Sequence, residues 1–263
     1  MKISTPVRQG CSSTKLSVIT VGFNNCPEIK KTCESVDRQA VAVWEHVIVA
    51  SGLSQLGIAD LKSIANAPYR RFLFNQDKSI YNAMNIGLLE ASGDAILFLN
   101  SGDVFLSEAS TGSICRQYRG KCIAFATVQV DGCNRYRRGP GRIEISGLVG
   151  AGHQGFVAPL PRLACERIRY DESNAIGADQ DWIANCARRY GVELASEPIA
   201  LFELGGLSSR PSLRGFWLRL KSGRYSSALK VLPKMVVWSL FGRSIYYQLL
   251  AKLRNYTKYE GVE

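Results

Sequence analysis

The sequence predicts an α/β fold, namely a Rossmann-like, mostly parallel sheet flanked by helices, with a C-terminal amphipathic helical tail. Three observations predict it. Short apolar runs alternate with helical patterns through the N-terminal part of the chain. Each run ends in a small polar loop, and right-handed crossovers bring such loops to one rim. From Pro211 onward the chain turns basic and aromatic.

The elements follow in order. Residues 1–14 are polar and expected to be flexible. Leu16–Val21 is an uninterrupted apolar run and reads as a strand buried on both faces. Gly22-Phe23-Asn24-Asn25 is the loop at its end. Pro27 opens a helix, since its missing N–H costs nothing there. That helix should run to about Arg38, burying Ile29, Cys33 and Val36. Trp44–Val49 is the second strand, with Ala50-Ser51-Gly52 as its exit loop. A helix over Ile58–Asn66 and a short strand over Arg71–Phe74 complete the second unit.

The most informative stretch is Asn75–Asp103. Ile80, Ala83, Met84, Gly87, Leu88 and Ala91 form one stripe at helical spacing. Gly93-Asp94 stops the helix, and Ala95–Leu99 is again a buried strand. It leads into Asn100-Ser101-Gly102-Asp103. Ligands bind outside the carboxyl ends of such strands, and a carboxylate there is a hard oxygen ligand for Mg²⁺ or Mn²⁺. By composition alone the same four residues also suit a plain turn.

Composition bounds the rest. The 263 residues are 46% hydrophobic, enough for one large core. Neither a dinucleotide fingerprint nor a P-loop follows the first strand, which argues against nicotinamide enzymes and P-loop ATPases. The eight cysteines include no C-x-x-C pair, and there are only two histidines, His46 and His153. Reduced core thiols are expected rather than a zinc site. The first ten residues lack an apolar run, and no stretch is long and apolar enough for a span. A cytoplasmic protein follows as the expectation.

The ordered set of motifs resembles family 2 glycosyltransferases of the GT-A fold, in particular the WcaA-like bacterial polysaccharide enzymes. The residues that carry the resemblance are Ser17–Asn24, Glu34-Ser35-Val36 with Gln39, Asp77–Gly87, and Gly93-Asp94 through Asp103. They continue with His153-Gln154, Ala178–Trp182 and Phe202–Ser209. The likeness covers about residues 15–210, a nucleotide-sugar-binding half (15–104) and an acceptor-binding half (105–210), and leaves 211–263 as the tail.

The resemblance implies inverting transfer of a sugar from a nucleotide-sugar to an acceptor hydroxyl, with a Mn²⁺ or Mg²⁺ cofactor. It makes Asp103 the metal ligand and Asp179 the general base. Phe23, Asn24, Ser51, Asp77, Asn85, Asn100, His153 and Gln154 become donor-site residues. Asp77 would serve the nucleobase side, Asn85 the sugar rim and Asn100 the ribose or diphosphate. His153 would orient diphosphate or acceptor. Two departures stand out. Ala50 replaces the usual nucleobase-gripping Asp, and Gly102 replaces a second metal-site Asp.

In the acceptor-binding half, Cys122–Val130 reads as a strand behind the site. Arg135, Arg137, Arg138 and Arg142 surround Gly139-Pro140-Gly141, either a solvated loop or a mobile lid over anions. Asp179 and Asp181 are two apart at a helix start, so only one faces the site. Trp182 reads as core before sugar platform. Val192–Ala195 is a late edge strand, and Phe202–Ser209 a glycine-rich flap whose Glu203 meets acceptor or solvent.

The tail holds ten Lys/Arg against Glu260 and Glu263, which is +8 of the net +11. Its apolar residues, broken by Lys230, Pro233 and Lys234, suit surface helices on an anionic membrane at the cytoplasmic face of the inner membrane. A lipid-linked saccharide acceptor would make that docking useful. The alternative is packing on the core or on a second subunit of a homo-oligomer. Two rival functions remain. A degenerate scaffold keeps the fold without turnover, with Ala50 as its support. Nucleic-acid binding is disfavoured, because no recognition motif accompanies the charge.

Overall fold

The computed structural model describes residues 14–64, 66–77, 79–132, 134–143, 148–174, 176–204, 211–254 and 256–260. The expected flexible N-terminus, save Thr14, lies outside them. The N-terminal half runs β1 (Leu16–Phe23), α1 (Cys26–Asp37), β2 (Glu45–Ser51), α2 (Gln55–Ile64), β3 (Arg70–Asn75), α3 (Ile80–Glu90) and β4 (Ala95–Phe98). β3, β2, β1 and β4 lie side by side and parallel, with Ser17 opposite both Glu45 and Ile96. β1, β2 and β4 are buried along nearly their whole length, which is why their sequences show apolar runs instead of alternation.

The stripe on α3 holds at Ala83, Met84, Gly87 and Leu88 but fails at its first residue, Ile80. Ile80 is 48% exposed, and the buried residues are Tyr81, Ala83, Met84, Asn85, Gly87 and Leu88. Ser79 caps the helix by accepting from Asn82 N. The first turn hangs past the sheet, so its inner face is set by the loop holding Tyr170, on which Tyr81 stacks. Further along, α3 presses onto β1 so closely that a Cβ at Gly87 would lie 2.4 Å from Ile19 Cγ2.

Beyond β4 the sheet becomes mixed. β5 (Val104–Phe105), α4 (Ser110–Gln117), β6 (Cys122–Asp131), β7 (Asn134–Arg138), β8 (Gly141–Ile143) and β9 (Leu148–Gly150) come next. A 3-10 turn at His153–Gly155 leads to β10 (Phe156–Pro159), α5 (Leu160–Cys165), α6 (Ala178–Tyr190) and β11 (Val192–Glu203). β10 is inserted antiparallel between β4 and β6, and β11 lies parallel to β6.

Two expectations about this half are corrected. Arg135–Arg138 belong to strand β7, antiparallel to β6, rather than to a loop. The late strand does not stop at Ala195 but reaches Glu203, so Phe202 and Glu203 belong to a strand, and Glu203 pairs with Lys31 at 2.9 Å. The rest of the expected flap beyond Leu204, from Gly205 onward, lies outside the described residues.

The tail comprises α7 (Leu213–Lys221), α8 (Tyr225–Leu229), α9 (Val231–Leu253) and β12 (Thr257–Lys258). Pro233 sits in the first turn of α9 and does not break it, while Gly242 kinks that helix. The tail is fastened to the part of the chain after β4 at several points. Tyr246 and Tyr247 pack with Leu204, Arg243 pairs with buried Asp131 at 2.9 Å, and β12 extends the sheet beyond β7. Arg224 bonds Gly177 O and Asp181 at the start of α6. Part of the tail's charge is thus engaged by the core. Among the described residues no helix is long and apolar enough to cross a membrane.

Candidate active site

The site grows from the loop after β4. Gly102 has φ +90°, a backbone that favours glycine, and its tight turn lets Asp103 N reach Asn100 O at 2.9 Å. Thr32, fully buried on α1, organises this loop. Its hydroxyl lies 2.8 Å from Asp103 O and 3.3 Å from Asn100 O, and it accepts from Gly102 N at 3.0 Å. Sequence reasoning missed Thr32, because nothing local links it to a loop some 70 residues away. Thr32→Val should lower Tm and weaken Mn²⁺-dependent nucleotide binding, since an unsatisfied buried group costs about 1–3 kcal/mol. Unchanged metal dependence would mean that the loop is set elsewhere.

The 3-10 turn then presents His153 and Gln154 side by side. Gln154 Nε2 donates to Asp103 Oδ2 at 3.0 Å. Asn100 Nδ2 lies 2.8 Å from His153 Nε2. With Asn100 as donor, the imidazole proton sits on Nδ1, which faces Asp179 Oδ2 at 3.8 Å. On the other side, Tyr81 OH lies 3.4 Å from Asp179 Oδ1 and itself accepts from Gly177 N at 3.1 Å. Through the adjacent Gln154 and His153, a line of polar side chains therefore joins Asp103 to Asp179.

The two carboxylates are tuned in opposite directions. Burial pushes Asp103 up to about 6, against the pull of His153 and the Gln154 hydrogen bond. Burial also acts on Asp179, but the neighbouring His153 imidazole, with help from Gln180, outweighs it and holds this carboxyl below its usual range. Tyr81 is pushed up to about 12 by burial and by the Asp179 charge, so it stays a donor. Sequence reasoning missed Tyr81 as a site residue by assigning the inner face to Ile80.

An aromatic floor supports this line. Trp182 stacks on Tyr170 and meets Phe98 and Phe156 edge-on, so it is core and not a sugar platform. Asp181 points away from Asp179, to Asn174 and Arg224.

The donor-side residues separate into two groups. Phe23 is half exposed at the rim, and its ring covers Gly52. Asn24, at φ 46°, bonds Ser51 O through its N–H, and among the described residues Ser51 Oγ is buried without a partner. Asn100 Oδ1 is likewise buried and unpartnered among them. Both atoms keep unused hydrogen-bonding capacity.

The remaining two are differently placed. Asp77 is exposed and accepts from Ser79 N, shaping the entry to α3. Asn85 spends its amide on Tyr170 N, Tyr170 O and Glu172, so it clamps the loop that holds them. Ala50 is 1% exposed and packs with Ile29, Cys33, Ile48 and Leu61.

The donor set can be tested against a divalent cation. Among the described residues no group of three or more His, Cys, Asp or Glu side chains comes together to hold a metal. Asp103 and the unpartnered Asn100 Oδ1 are hard oxygens on one loop, which suits Mg²⁺ or Mn²⁺ if a diphosphate and water complete the shell.

The fold and this rim define the class: a mixed α/β sheet of the GT-A, glycosyltransferase-like type. No family profile matches the chain. It is 28% identical over 202 residues to the uncharacterized glycosyltransferase Rv1514c of Mycobacterium tuberculosis, covering 72% of this chain and 73% of that one. Among solved structures it is similar to S. aureus TarS 1-349 in complex with UDP-GlcNAc, at TM-score 0.56 and 15% identity, covering 91% of this chain and 78% of that one. It is also similar to the mannosyltransferase PcManGT from Pyrobaculum calidifontis in complex with GDP-Man and Mn²⁺, at TM-score 0.54 and 11% identity, covering 92% and 80%. The chain spans 44% of the longer TarS structure.

Proposed function

We propose that this protein is an inverting family 2 glycosyltransferase, moving a sugar from a nucleotide-sugar to an acceptor hydroxyl. The observation that carries this reading is the polar line from Asp103 through Gln154 and His153 to Asp179. It puts a metal-competent carboxylate and an ionised, proton-accepting one on the same rim. The Mycobacterium relative is named a glycosyltransferase, and PcManGT was captured with a nucleotide-sugar and Mn²⁺. Both support the reading.

Each residue then has a chemical task. Phe23 offers a ring face for the nucleobase, and Ser51 Oγ a hydrogen bond near it. This rim takes over from the Asp that Ala50 replaces, because position 50 is sealed in the core. Asp103, with Asn100 Oδ1, would hold the divalent cation, whose charge stabilises the departing diphosphate. Asp179 takes the proton from the acceptor hydroxyl as that oxygen attacks the anomeric carbon. The leaving diphosphate departs from the opposite face, so a single displacement inverts the centre. Tyr81 and His153 hold Asp179 in place.

The test is calorimetry of the purified protein with UDP, GDP, dTDP and CDP, with and without Mn²⁺. Selective, metal-dependent binding of one diphosphate is expected. Binding of none by folded protein would favour the degenerate scaffold.

The tail supports a membrane-bound acceptor. Leu229, Leu232, Val236, Leu240, Phe241 and Ile245 are all exposed, next to exposed Lys230. We assign this face to an anionic lipid surface, the charge complement of the basic tail. Removing the tail would also remove β12, Arg224 and Arg243, so point changes test the idea more cleanly. Leu240→Glu with Phe241→Glu should abolish co-flotation with phosphatidylglycerol vesicles while leaving Tm unchanged. Equal flotation of variant and wild type would defeat the docking face.

A further inference from the structure

Arg138 is a half-buried cation that the proposed chemistry does not use. It ends β7, directly across from Thr127 of β6. Among the described residues its guanidinium makes no hydrogen bond or ion pair, and Asp179 pulls on it electrostatically from beyond ion-pair distance. Thr127 is 1% exposed, and among the described residues its Oγ1 has no partner. Such groups are rare in a finished interior and require an explanation.

Geometry brings the two to one point. A Cβ built on Gly152 would lie 3.8 Å from Arg138 Nη1, 3.8 Å from Thr127 Oγ1 and 3.0 Å from Gln154 Oε1. Two donors and one acceptor thus converge beside residue 152, where glycine brings no side chain between them. Gln154 spends its other end on Asp103, so it stands between this spot and the metal loop. On the glycosyltransferase reading, that is the side away from the leaving group. Arg254 and Tyr256 of the tail also reach the neighbourhood, and Arg254 adds positive potential.

We infer that Arg138 and Thr127 form an acceptor subsite for an anionic group, a carboxylate or phosphate carried by the acceptor saccharide. The inference rests on the glycosyltransferase reading. The guanidinium supplies charge and paired N–H donors, the Thr127 hydroxyl adds a third donor, and Gln154 Oε1 accepts from a neighbouring sugar hydroxyl. Held there, the acceptor presents its nucleophile toward Asp179. Recognition of this kind discriminates strongly, since a neutral acceptor leaves the buried donors unmatched.

The experiment titrates full-length protein, saturated with Mn²⁺ and the diphosphate chosen by the screen, with methyl glucuronide, inorganic phosphate and methyl glucoside. Either or both anions should bind at least about tenfold more tightly than the glucoside. Glucuronide alone points to an acidic sugar, phosphate alone to a phosphorylated one. Arg138→Met and the near-isosteric Thr127→Val should each lose that preference while keeping diphosphate affinity. The second variant covers the case in which the first does not fold. No preference in wild type, or a preference kept in both variants, overturns the subsite. A fall in diphosphate affinity on Arg138→Met would instead assign Arg138 to the leaving group and also overturn it. Failure of the diphosphate screen itself would mark failure of the underlying reading.

Discussion

Asp103→Asn is expected to abolish Mn²⁺-dependent nucleotide binding and, at pH 8, to raise the Tm of the ligand-free protein. The two effects share a cause. Burial raises the Asp103 carboxyl to about 6, so without a cation its charge is costly in the folded state. A carboxyl whose folded pKa exceeds its unfolded value favours folding in its protonated form. That contribution is complete below about pH 4 and is lost as pH rises through the folded value. At pH 8 the neutral amide removes a cost of at most about 3 kcal/mol, and its oxygen still accepts from Gln154. The amide is a poor substitute for a carboxylate as a hard anionic ligand. Calorimetry and thermal melts from about pH 4 to pH 8 check both halves. The gain in Tm should shrink as pH falls, and retained metal dependence would remove Asp103 from the metal site.

Asp179→Asn is expected to lower kcat by about 10²–10⁴-fold while leaving donor affinity near the wild-type value. The reasoning is positional. Asp179 is held between His153 and Tyr81, and the polar line connects it with Asp103 only through other side chains. Removing its charge should therefore spare the diphosphate. His153 holds the carboxyl below its usual range, so it is ionised through the neutral region. The acid limb of the rate profile attributable to this base should thus fall below the usual carboxylate range. A variant with full turnover would eliminate Asp179 as the base. A variant that also loses donor binding would place it in the donor site instead.

Much of the donor half was legible because its signals are local. Strands buried on both faces must be apolar runs, a helix start needs a cap, and a strand exit beside a ligand needs small polar residues. Leu16–Val21, Ala95–Leu99 and the Asn100–Asp103 loop all follow from such rules. The acceptor half was less legible. The reach of β11 to Glu203 depends on pairing with β6 and β5, and nothing in residues 192–203 states where those partners end. Likewise, Arg135–Arg138 look like a solvated basic loop until β6 and β12 are laid on either side of them.

The sequence by itself determined the layered α/β architecture, the strand-exit rim and the two carboxylates to which the proposed chemistry is assigned. Only the tertiary structure decided how they act together. Tyr81 and Asp179 are 98 residues apart, Gln154 and Asp103 are 51 apart, and Arg224 supports Gly177 from 47 residues away. Helical spacing fixes which residues share a face but not which face turns inward. That choice belongs to whatever packs on the helix, and at Ile80 and Tyr81 a loop from the other half of the chain made it.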